Sequence, residues 1–517
     1  MPLRSTLGAP ASPPAAAEGG QRLAPAVRPA PPWAAVLLFV VACAGPAEPP
    51  AGVEIGADNP AIDAIFASWD KPGSPGCALA VARGGDLVYS RGYGYANLDY
   101  DIPVTPQTVF DVASVTKQFV AAVANLLAQD GTVSLDDGVR QWLPELPEYP
   151  SPVTLRHLIH HTGGLRDYLN LFPLAGAGDY YSVSREQLLA MMSRQRAPVF
   201  APGERYEYSN TGYMLLAHAL ERAAGKSVGE LARERIFEPL GMDGSLMYEN
   251  RERIIPGRAT GYHRDDDGNL RIVHNYNFEI AGDGQLYTTV EDLLRWDDYL
   301  HGADRPAIHE SMLTEGTLNN GEPIGYAHGI TPGEYRGLRT VGHSGHSWGF
   351  LTELRRYVEP GLSIAVSCNA EFGDPGELAR RVADHYLADQ LGPEESDDGE
   401  EDDAGEEDED SPPVPSLSSA QLAEFAGSFF SSELDATYRF TVADGGLALR
   451  VEQQPALDVE PVAEDEFRVE FESRGWAASP ARLEFGRDGS GAVSGFSLSS
   501  GSERGLVFER QPGLELR

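Results

Sequence analysis

Basic residues are few in this chain, and lysine is nearly absent. The 517 residues include 40 Lys and Arg against 78 Asp and Glu, which gives a formal net charge of −38. No segment gathers basic side chains into a patch, so the charge balance argues against nucleic acids and anionic membrane surfaces as partners. The lysines are Lys71, Lys117 and Lys226. A motif that needs an ammonium group can therefore be sought at only three positions.

The N-terminal region lacks an apolar run long enough to span a bilayer. Residues 33–42 are apolar, but they are too few for a membrane span and instead suit the hydrophobic region of an export signal, with three arginines before it. The run ends in Val-Val-Ala-Cys43, which resembles a bacterial lipobox with Cys43 as the lipidated residue. An ordinary signal peptide cleaved near Ala44 is the alternative. Either way, the mature protein is expected outside the cytoplasm, in the periplasm or at the cell surface, and any membrane contact would come through a lipid anchor.

Cysteine is scarce as well, with three in the chain. With either signal, Cys77 and Cys368 are left as an even pair in an oxidising compartment. Two interpretations stay open for these cysteines at this point: they form a disulfide, or they are two buried free thiols within strands.

The order of apolar patterns predicts an α/β protein of the α+β type. Strand patterns near residues 77–93 are followed by mainly helical patterns over 109–240, by strands over 339–369 and by a helix over 377–391. This order predicts an antiparallel sheet flanked by helices, with a helical domain inserted in it. We divide the chain into a signal and loose segment (1–57), a first folded domain (58–392), an acidic linker that ends in prolines (393–416) and a C-terminal domain (417–517).

The last 100 residues have a purely β pattern. Short alternating strands separated by Asp-Gly turns predict a small antiparallel barrel. The linker before it carries 13 acidic residues between Glu394 and Asp410 and is expected to be extended and disordered. We therefore expect the barrel to make no fixed contribution to an active site in the preceding domain.

Two segments fit the pattern Ser-x-x-Lys. Ser114 and Lys117 open an apolar helix, and their spacing puts the hydroxyl and the amine on one helix face. A nearby amine can accept the proton of a serine hydroxyl, and burial would lower the pKa of the lysine and favour its neutral form. Ser68 and Lys71 have the same spacing, but Pro72 and Gly73 follow at once, so they are predicted to end a helix. The helical context therefore selects Ser114 as the nucleophile.

Two further elements add polar groups downstream. Tyr208 and Asn210 precede an apolar helix; a phenol beside a lysine can relay protons, and an amide can hold a substrate carbonyl. His343-Ser344-Gly345 ends a predicted strand, where small residues would let a substrate backbone approach closely. Trp348, just after this element, is predicted to line the cleft.

Ser-x-x-Lys, Tyr-x-Asn and His-Ser-Gly in this order resemble the motifs of the serine β-lactamase and penicillin-recognising family. The phrases at residues 154–165, 200–203, 239–242 and 282–288 are similar to its class C branch, which includes D-alanyl-D-alanine carboxypeptidases, D-aminopeptidases and esterases. The resemblance covers residues 58–392. The segment that follows the linker is similar to the lipocalin-like domain appended to such hydrolases.

The resemblance implies a mechanism without cofactor or metal. Ser114 would attack an amide or ester carbonyl and form an acyl-enzyme, while Lys117 and Tyr208 manage the proton. The backbone N–H groups of Ser114 and His346 would form the oxyanion hole. The residues implied to contact the substrate are Asn210, His343, Ser344, Gly345 and Trp348.

The histidine at position 343 departs from the β-lactamase pattern. β-Lactamases of this class have a lysine there, whose charge assists binding of the substrate carboxylate, whereas histidine is mostly neutral at pH 7. We therefore expect poor β-lactam hydrolysis. The preferred function is cleavage of amide bonds in D-amino-acid peptides. The alternatives are an esterase of short acyl esters, a class C-type β-lactamase, and an inert relative that binds cell-wall peptide.

Other groups that suggest metals have simpler interpretations. His157, His160 and His161 lie in a phrase that the family shares without metal, so packing and capping roles are predicted. Residues 265–269 (Asp-Asp-Asp-Gly-Asn) lack the spacing of an EF-hand loop and are predicted to form a hairpin turn.

Overall fold

A computed structural model describes residues 59–177, 184–273, 281–393, 417–452, 454–471 and 480–512. These residues belong to one compact unit. The expected signal segment with Cys43 and all but the first residue of the acidic linker lie outside them. None of the helices in the described ranges is long and apolar enough to cross a membrane.

The strands before the linker, within the described residues, are β1 (Cys77–Arg83), β2 (Asp86–Tyr93), β3 (Tyr95–Asn97), β4 (Ile102–Pro103), β5 (Phe110–Asp111), β6 (Leu246–Met247), β7 (Gly261–Arg264), β8 (Leu270–Val273), β9 (Leu286–Thr288), β10 (Thr331–Tyr335), β11 (Leu338–Ser347), β12 (Phe350–Tyr357) and β13 (Leu362–Cys368). The helices are α1 (Pro60–Ile65), α2 (Thr116–Gln129), α3 (Leu155–Ile159), α4 (Tyr168–Leu174), α5 (Arg185–Ser193), α6 (Asn210–Ala224), α7 (Val228–Ala232), α8 (Glu238–Leu240), α9 (Val290–His301), α10 (His309–Leu313), α11 (Pro375–Leu387) and α12 (Ser419–Phe425). Short 3₁₀ helices cover Ala113–Val115 and Val139–Gln141, and a π-helical turn covers Arg233–Phe237.

The central sheet is antiparallel and has the strand order β10-β11-β12-β13-β1-β2. β1 pairs with β13 along its whole length, so strands from the two ends of the domain share one sheet. The helices α2 to α10 enter between these strands as an insertion. This arrangement confirms the predicted antiparallel sheet with an inserted helical domain. The hairpin predicted around residues 265–269 is also present, between β7 and β8.

The two faces of the sheet carry side chains of different size. In β1, Leu79 and Val81 belong to the core beneath α1 and α11, whereas Ala78 and Ala80 belong to the core shared with α2 and α9. Alternate residues of a strand point to opposite faces, and small side chains let a helix approach closely. The alanine face therefore lets the helical insertion, which carries the predicted nucleophile, pack closely on the sheet.

Cys77 and Cys368 form a disulfide. They are direct partners in the β1–β13 ladder, at the ends of both strands. Of the two alternatives left open for these residues, the structure contains the disulfide and not the free thiols. The bond joins positions 291 residues apart in the chain.

The C-terminal domain is a closed barrel in the described residues, which confirms the predicted all-β architecture. Its strands are β14 (Gly427–Ser431), β15 (Ala436–Ala443), β16 (Gly446–Val451), β17 (Leu457–Ala463), β18 (Glu466–Val469), β19 (Ala481–Arg487), β20 (Val493–Ser500) and β21 (Glu503–Arg510). Aromatic rings fill its interior. Phe425 of α12 lies 4.7 Å from Phe467 and 5.0 Å from Phe485, measured between ring centroids. An eight-stranded barrel is just wide enough for side chains to fill in this way.

The barrel packs against the preceding domain (residues 58–392), whereas the acidic linker alone favoured a loose attachment. The Tyr438 hydroxyl donates to the Leu174 carbonyl at 2.7 Å, and Gln454 donates to the Gly176 carbonyl at 2.9 Å. Arg166 and Glu433 form an ion pair at 3.3 Å with side chains only 6% and 4% exposed. The composition of a linker sets its stiffness, but buried contacts like these fix the position of the domains it joins.

Candidate active site

Ser114 lies in the 3₁₀ turn just before α2 and lines a cleft. Asp111 holds this turn in place. Its carboxylate accepts hydrogen bonds from the Ala113 N–H at 2.9 Å and from the Ser347 hydroxyl of β11 at 3.1 Å. Ala113 has φ +47°, in the left-handed region that residues other than glycine seldom adopt. Such strain is typical of functional sites, where surrounding contacts maintain it.

Lys117 is fully buried, and its amine contacts three oxygen atoms. The Nζ atom lies 3.0 Å from Ser114 Oγ, 2.9 Å from Asn210 Oδ1 and 2.8 Å from the Asp283 carbonyl oxygen. Burial lowers the pKa of Lys117 to about 8, although the charges of Asp283 and Asp167 act in the opposite direction. The predicted Ser–Lys pair is therefore within hydrogen-bond distance, and its amine can lose a proton near neutral pH.

The three contacts of Lys117 also fix the direction of its lone pair. The amide oxygen of Asn210 and the carbonyl of Asp283 can only accept hydrogen bonds. A neutral amine that keeps its two N–H bonds to them must turn its lone pair toward the third partner, the Ser114 hydroxyl. The geometry is therefore that of a base aimed at a nucleophile.

Tyr208 lies against the same amine. Lys117 Nζ is 4.9 Å from the centre of the Tyr208 ring. The centres of the Tyr208 and His161 rings are 4.2 Å apart. Tyr208 is 37% exposed, yet the partial burial of its phenol raises the pKa above its ordinary value, while a hydrogen bond with Ser114 acts in the opposite direction. The phenol therefore stays protonated at neutral pH and can donate a proton near Ser114.

Asn210 is the first residue of α6, and it lines the cleft together with Ser114. Its backbone N–H donates to the carboxylate of Asp167, and its Oδ1 accepts from Lys117. Because that oxygen is occupied, the side-chain N–H₂ is the group it can offer to a substrate.

The third element, at the end of β11, divides into buried and exposed parts. His343 is 6% exposed, and its Nε2 lies 3.0 Å from the Tyr326 hydroxyl. Burial lowers the pKa of His343 to about 4, so it is neutral at pH 7. Its side chain packs behind the cleft and does not line it. The structure therefore shows a packed environment for the ring, and the substrate contact that we predicted for His343 stays a prediction.

Gly345 allows a close contact within the protein. A Cβ atom at this position would collide with the carbonyl oxygen of Val112 and press on the Ala113 side chain. The missing side chain thus lets the nucleophile's own turn approach the strand, and the substrate contact predicted for Gly345 stays a prediction. Ser344 is exposed, while His346 and Trp348 line the cleft with Ser114. The oxyanion and substrate-binding roles of these residues stay predictions.

The cleft also contains residues that we did not predict. Asp283 and Tyr168 line it, and the Tyr168 hydroxyl donates to the Asp283 carboxylate at 3.0 Å. Burial raises the pKa of Asp283 above its ordinary value. Asp283 lies in one of the family phrases, residues 282–288, which was a usable signal. Asp167 had no signal in the sequence, because its partner Asn210 is 43 residues away.

The second Ser-x-x-Lys segment is not part of this site. Ser68 and Lys71 are exposed and lie in turns after the end of α1. In the described part of the chain, no three His, Cys, Asp or Glu side chains are grouped as metal ligands. His157 forms a capping box with Thr154, and His161 accepts a hydrogen bond from the Ser209 N–H.

Comparisons with known proteins match the same region. The family model described as Beta-lactamase matches residues 61–388. Penicillin-binding protein 4* of Bacillus subtilis (strain 168) is 33% identical over 332 residues, which are 61% of this chain and 72% of that protein. The D-aminopeptidase of Gluconobacter oxydans (strain 621H) is 29% identical over 399 residues, which are 77% of this chain and 70% of that protein.

A solved structure extends the similarity in fold to the barrel. The octameric penicillin-binding protein homologue from Pyrococcus abyssi superposes with a TM-score of 0.56 and 24% identity, over 87% of this chain and 98% of that chain. Residues 1–392 are only about 76% of the 517 residues, so a match over 87% must include part of the C-terminal domain.

Proposed function

Because the chain belongs to the Beta-lactamase family, we propose that this serine hydrolase cleaves amide bonds of D-amino-acid peptides through an acyl-enzyme on Ser114. The observation that carries the proposal is the position of Lys117, whose amine reaches the Ser114 hydroxyl while two acceptors hold its remaining hydrogens. The similarity to a D-aminopeptidase supports the choice of substrate class.

In the proposed reaction, neutral Lys117 takes the proton of Ser114 as Oγ attacks the carbonyl carbon. The oxygen of the tetrahedral intermediate would be held by the backbone N–H groups of Ser114 and His346, since both residues line the cleft. Preorganised donors of this kind contribute about 3–4 kcal/mol. The Asn210 amide would hold the substrate beside them.

The second half of the reaction needs a proton donor for the leaving amine and then a base for water. Tyr208 supplies the donor in this scheme, since it is protonated at neutral pH and is hydrogen-bonded to Ser114. The proton that Lys117 took from Ser114 then returns to Tyr208, so that the amine is neutral again. Water attacks the acyl-enzyme, Lys117 accepts the proton of the water, and that proton passes to Ser114 Oγ as the acyl group leaves. No step requires a metal or a cofactor.

The charge of the cleft favours one end of a peptide over the other. Among the described residues, the lining contains Asp111 and Asp283 but no arginine or lysine, and the His343 ring is neutral. The Lys117 amine reaches Ser114 from the buried side, where Asn210 and the Asp283 carbonyl also bind it. An acidic cleft attracts a free amino group and repels a carboxylate. An aminopeptidase-like reaction is therefore favoured over a carboxypeptidase or a β-lactamase, both of which act on carboxylate-bearing substrates.

We also propose that the enzyme works outside the cytoplasm as a lipoprotein anchored through Cys43. The signal-like run before Cys43 supports this, and a disulfide between Cys77 and Cys368 suits an oxidising compartment. Labelling with radioactive palmitate in a bacterial host tests the anchor. An equally labelled Cys43→Ser variant would refute it, and an unlabelled but exported wild type would leave the ordinary signal peptide.

A substrate panel tests the catalytic proposal. D-amino-acid amides, D-Ala-D-Ala peptides, p-nitrophenyl esters and nitrocefin are compared by kcat/KM, alongside labelling with a fluorophosphonate. We expect D-amides with a free amino group to be turned over fastest and Ser114→Ala to abolish both turnover and labelling. Ser68→Ala is the matched control and should behave as wild type.

Other outcomes point to the alternatives. Esters as the best substrates would indicate an esterase, and nitrocefin as the best would indicate a β-lactamase and contradict the charge argument. A wild type that is neither labelled nor active would refute the Ser114 proposal and leave an inert relative that binds cell-wall peptide.

A further inference from the structure

The barrel reaches the hydrolase domain beside the cleft, at residues 166–170, which we call the bridging segment. Glu503 is the first residue of β21, and its side chain is only 1% exposed. Its Oε1 accepts hydrogen bonds from the Asp167 backbone N–H at 2.9 Å and from Asn170 Nδ2 at 3.2 Å. A carboxylate from the barrel thus binds both a main-chain and a side-chain donor of the segment.

The barrel also holds the first residue of the bridging segment. The Arg166 guanidinium lies 3.3 Å from the Glu433 carboxylate and donates to the Arg504 carbonyl at 2.9 Å. Its Nε is 3.8 Å from Glu503 Oε2, which is too long for a hydrogen bond but close enough for charge attraction. One buried cation therefore sits between two carboxylates of the barrel.

The opposite side of the bridging segment faces the catalytic residues. The Asp167 carboxylate accepts hydrogen bonds from the Leu169 N–H at 2.9 Å and from the Asn210 N–H. Asn210 in turn accepts from Lys117. Tyr168 and Leu169 line the cleft. A continuous set of hydrogen bonds therefore runs from Glu503 through Asp167 and Asn210 to Lys117.

We propose that Glu503 is a positioning residue for the reaction proposed above. By fixing the Asp167 backbone, it keeps that carboxylate against Asn210 and keeps the wall formed by Tyr168 and Leu169 in register with Ser114. Glu503 itself lines no part of the cleft. A displacement of about 1 Å in a reacting geometry can cost on the order of 100-fold in rate, so support from this distance is enough to affect turnover.

Three variants of the full-length protein test the inference. Glu503→Ala removes the acceptor and is expected to lower kcat/KM for a D-amide by about tenfold or more. Glu503→Gln keeps an acceptor for the Asp167 N–H and should retain more activity. Glu509→Gln is the matched control, because Glu509 is exposed on the same strand, and should equal wild type.

Rates are expressed per active site, counted by fluorophosphonate titration, and hydrogen–deuterium exchange is followed at residues 166–170 and 210. We expect faster exchange there in Glu503→Ala. A purely structural role would lower the melting temperature and the number of active sites, but kcat/KM per site would not change. Unchanged kcat/KM per site therefore overturns the inference, whatever the exchange shows. If wild type itself is inactive, the proposed function fails separately, and unchanged exchange would then overturn the positioning role.

Discussion

The ionisation of Lys117 makes a quantitative prediction for the pH dependence of acylation. Only the neutral amine has a lone pair for the Ser114 proton, so the rate must rise with pH. With the pKa of Lys117 lowered to about 8, the neutral fraction is about one tenth at pH 7, one half at pH 8 and nine tenths at pH 9. Acylation should therefore increase about fivefold from pH 7 to 8 but only about twofold from pH 8 to 9.

An exposed lysine would give a different profile. With the ordinary pKa of 10.5, the neutral fraction would grow about tenfold in each of these two intervals. The interval from pH 8 to 9 thus separates a buried catalytic lysine from an ordinary one. Few other groups in the cleft interfere, because Tyr208 stays protonated over this range and His343, with its pKa lowered to about 4, stays neutral.

The assay is the second-order rate of fluorophosphonate labelling, measured by stopped flow at constant ionic strength. Lys117→Ala should lose about 10²- to 10⁴-fold in this rate. Lys71→Ala, in the exposed Ser-x-x-Lys segment, should leave both the rate and the profile unchanged. A rate that is flat from pH 7 to 9, or one that still grows tenfold above pH 8, would refute the assignment of Lys117 as the base.

Three other perturbations follow from the same structure. Gly345→Ala should cut labelling at least tenfold, because the new methyl group collides with the Val112 carbonyl behind the nucleophile; wild-type labelling would contradict this packing. Cys368→Ser should lower the free energy of unfolding by about 3–5 kcal/mol in urea, since the disulfide closes a long loop, and a reducing agent should destabilise wild type but not the variant. Arg166→Ala should cost about 3–5 kcal/mol by leaving buried carboxylates unpaired; an unchanged unfolding midpoint would show that this ion pair is not needed for the barrel contact.

Local and periodic features of the sequence were sufficient for much of this protein. The spacing of Ser114 and Lys117, followed by a run of helix-forming apolar residues, located the reactive pair, and the exposed position of Ser68 and Lys71 agrees with their rejection. The antiparallel sheet and the C-terminal barrel were also predicted. Each strand shows its alternation of apolar and polar residues, and each turn its typical residues, within one short stretch of sequence.

Contacts between distant segments were decided only by the tertiary structure. The pairing of Cys77 with Cys368 depends on β1 and β13 being neighbours in the sheet. The roles of Asp167 and Glu503 depend on a contact between residues 336 positions apart. Whether a side chain such as His343 faces a cleft or a packed core depends on which side chains from other segments surround it. Sequence patterns report the preferences of each segment, whereas burial, ionisation and hydrogen-bond partners arise where segments meet. The sequence thus determined which groups could react, and the fold decided which residues surround them.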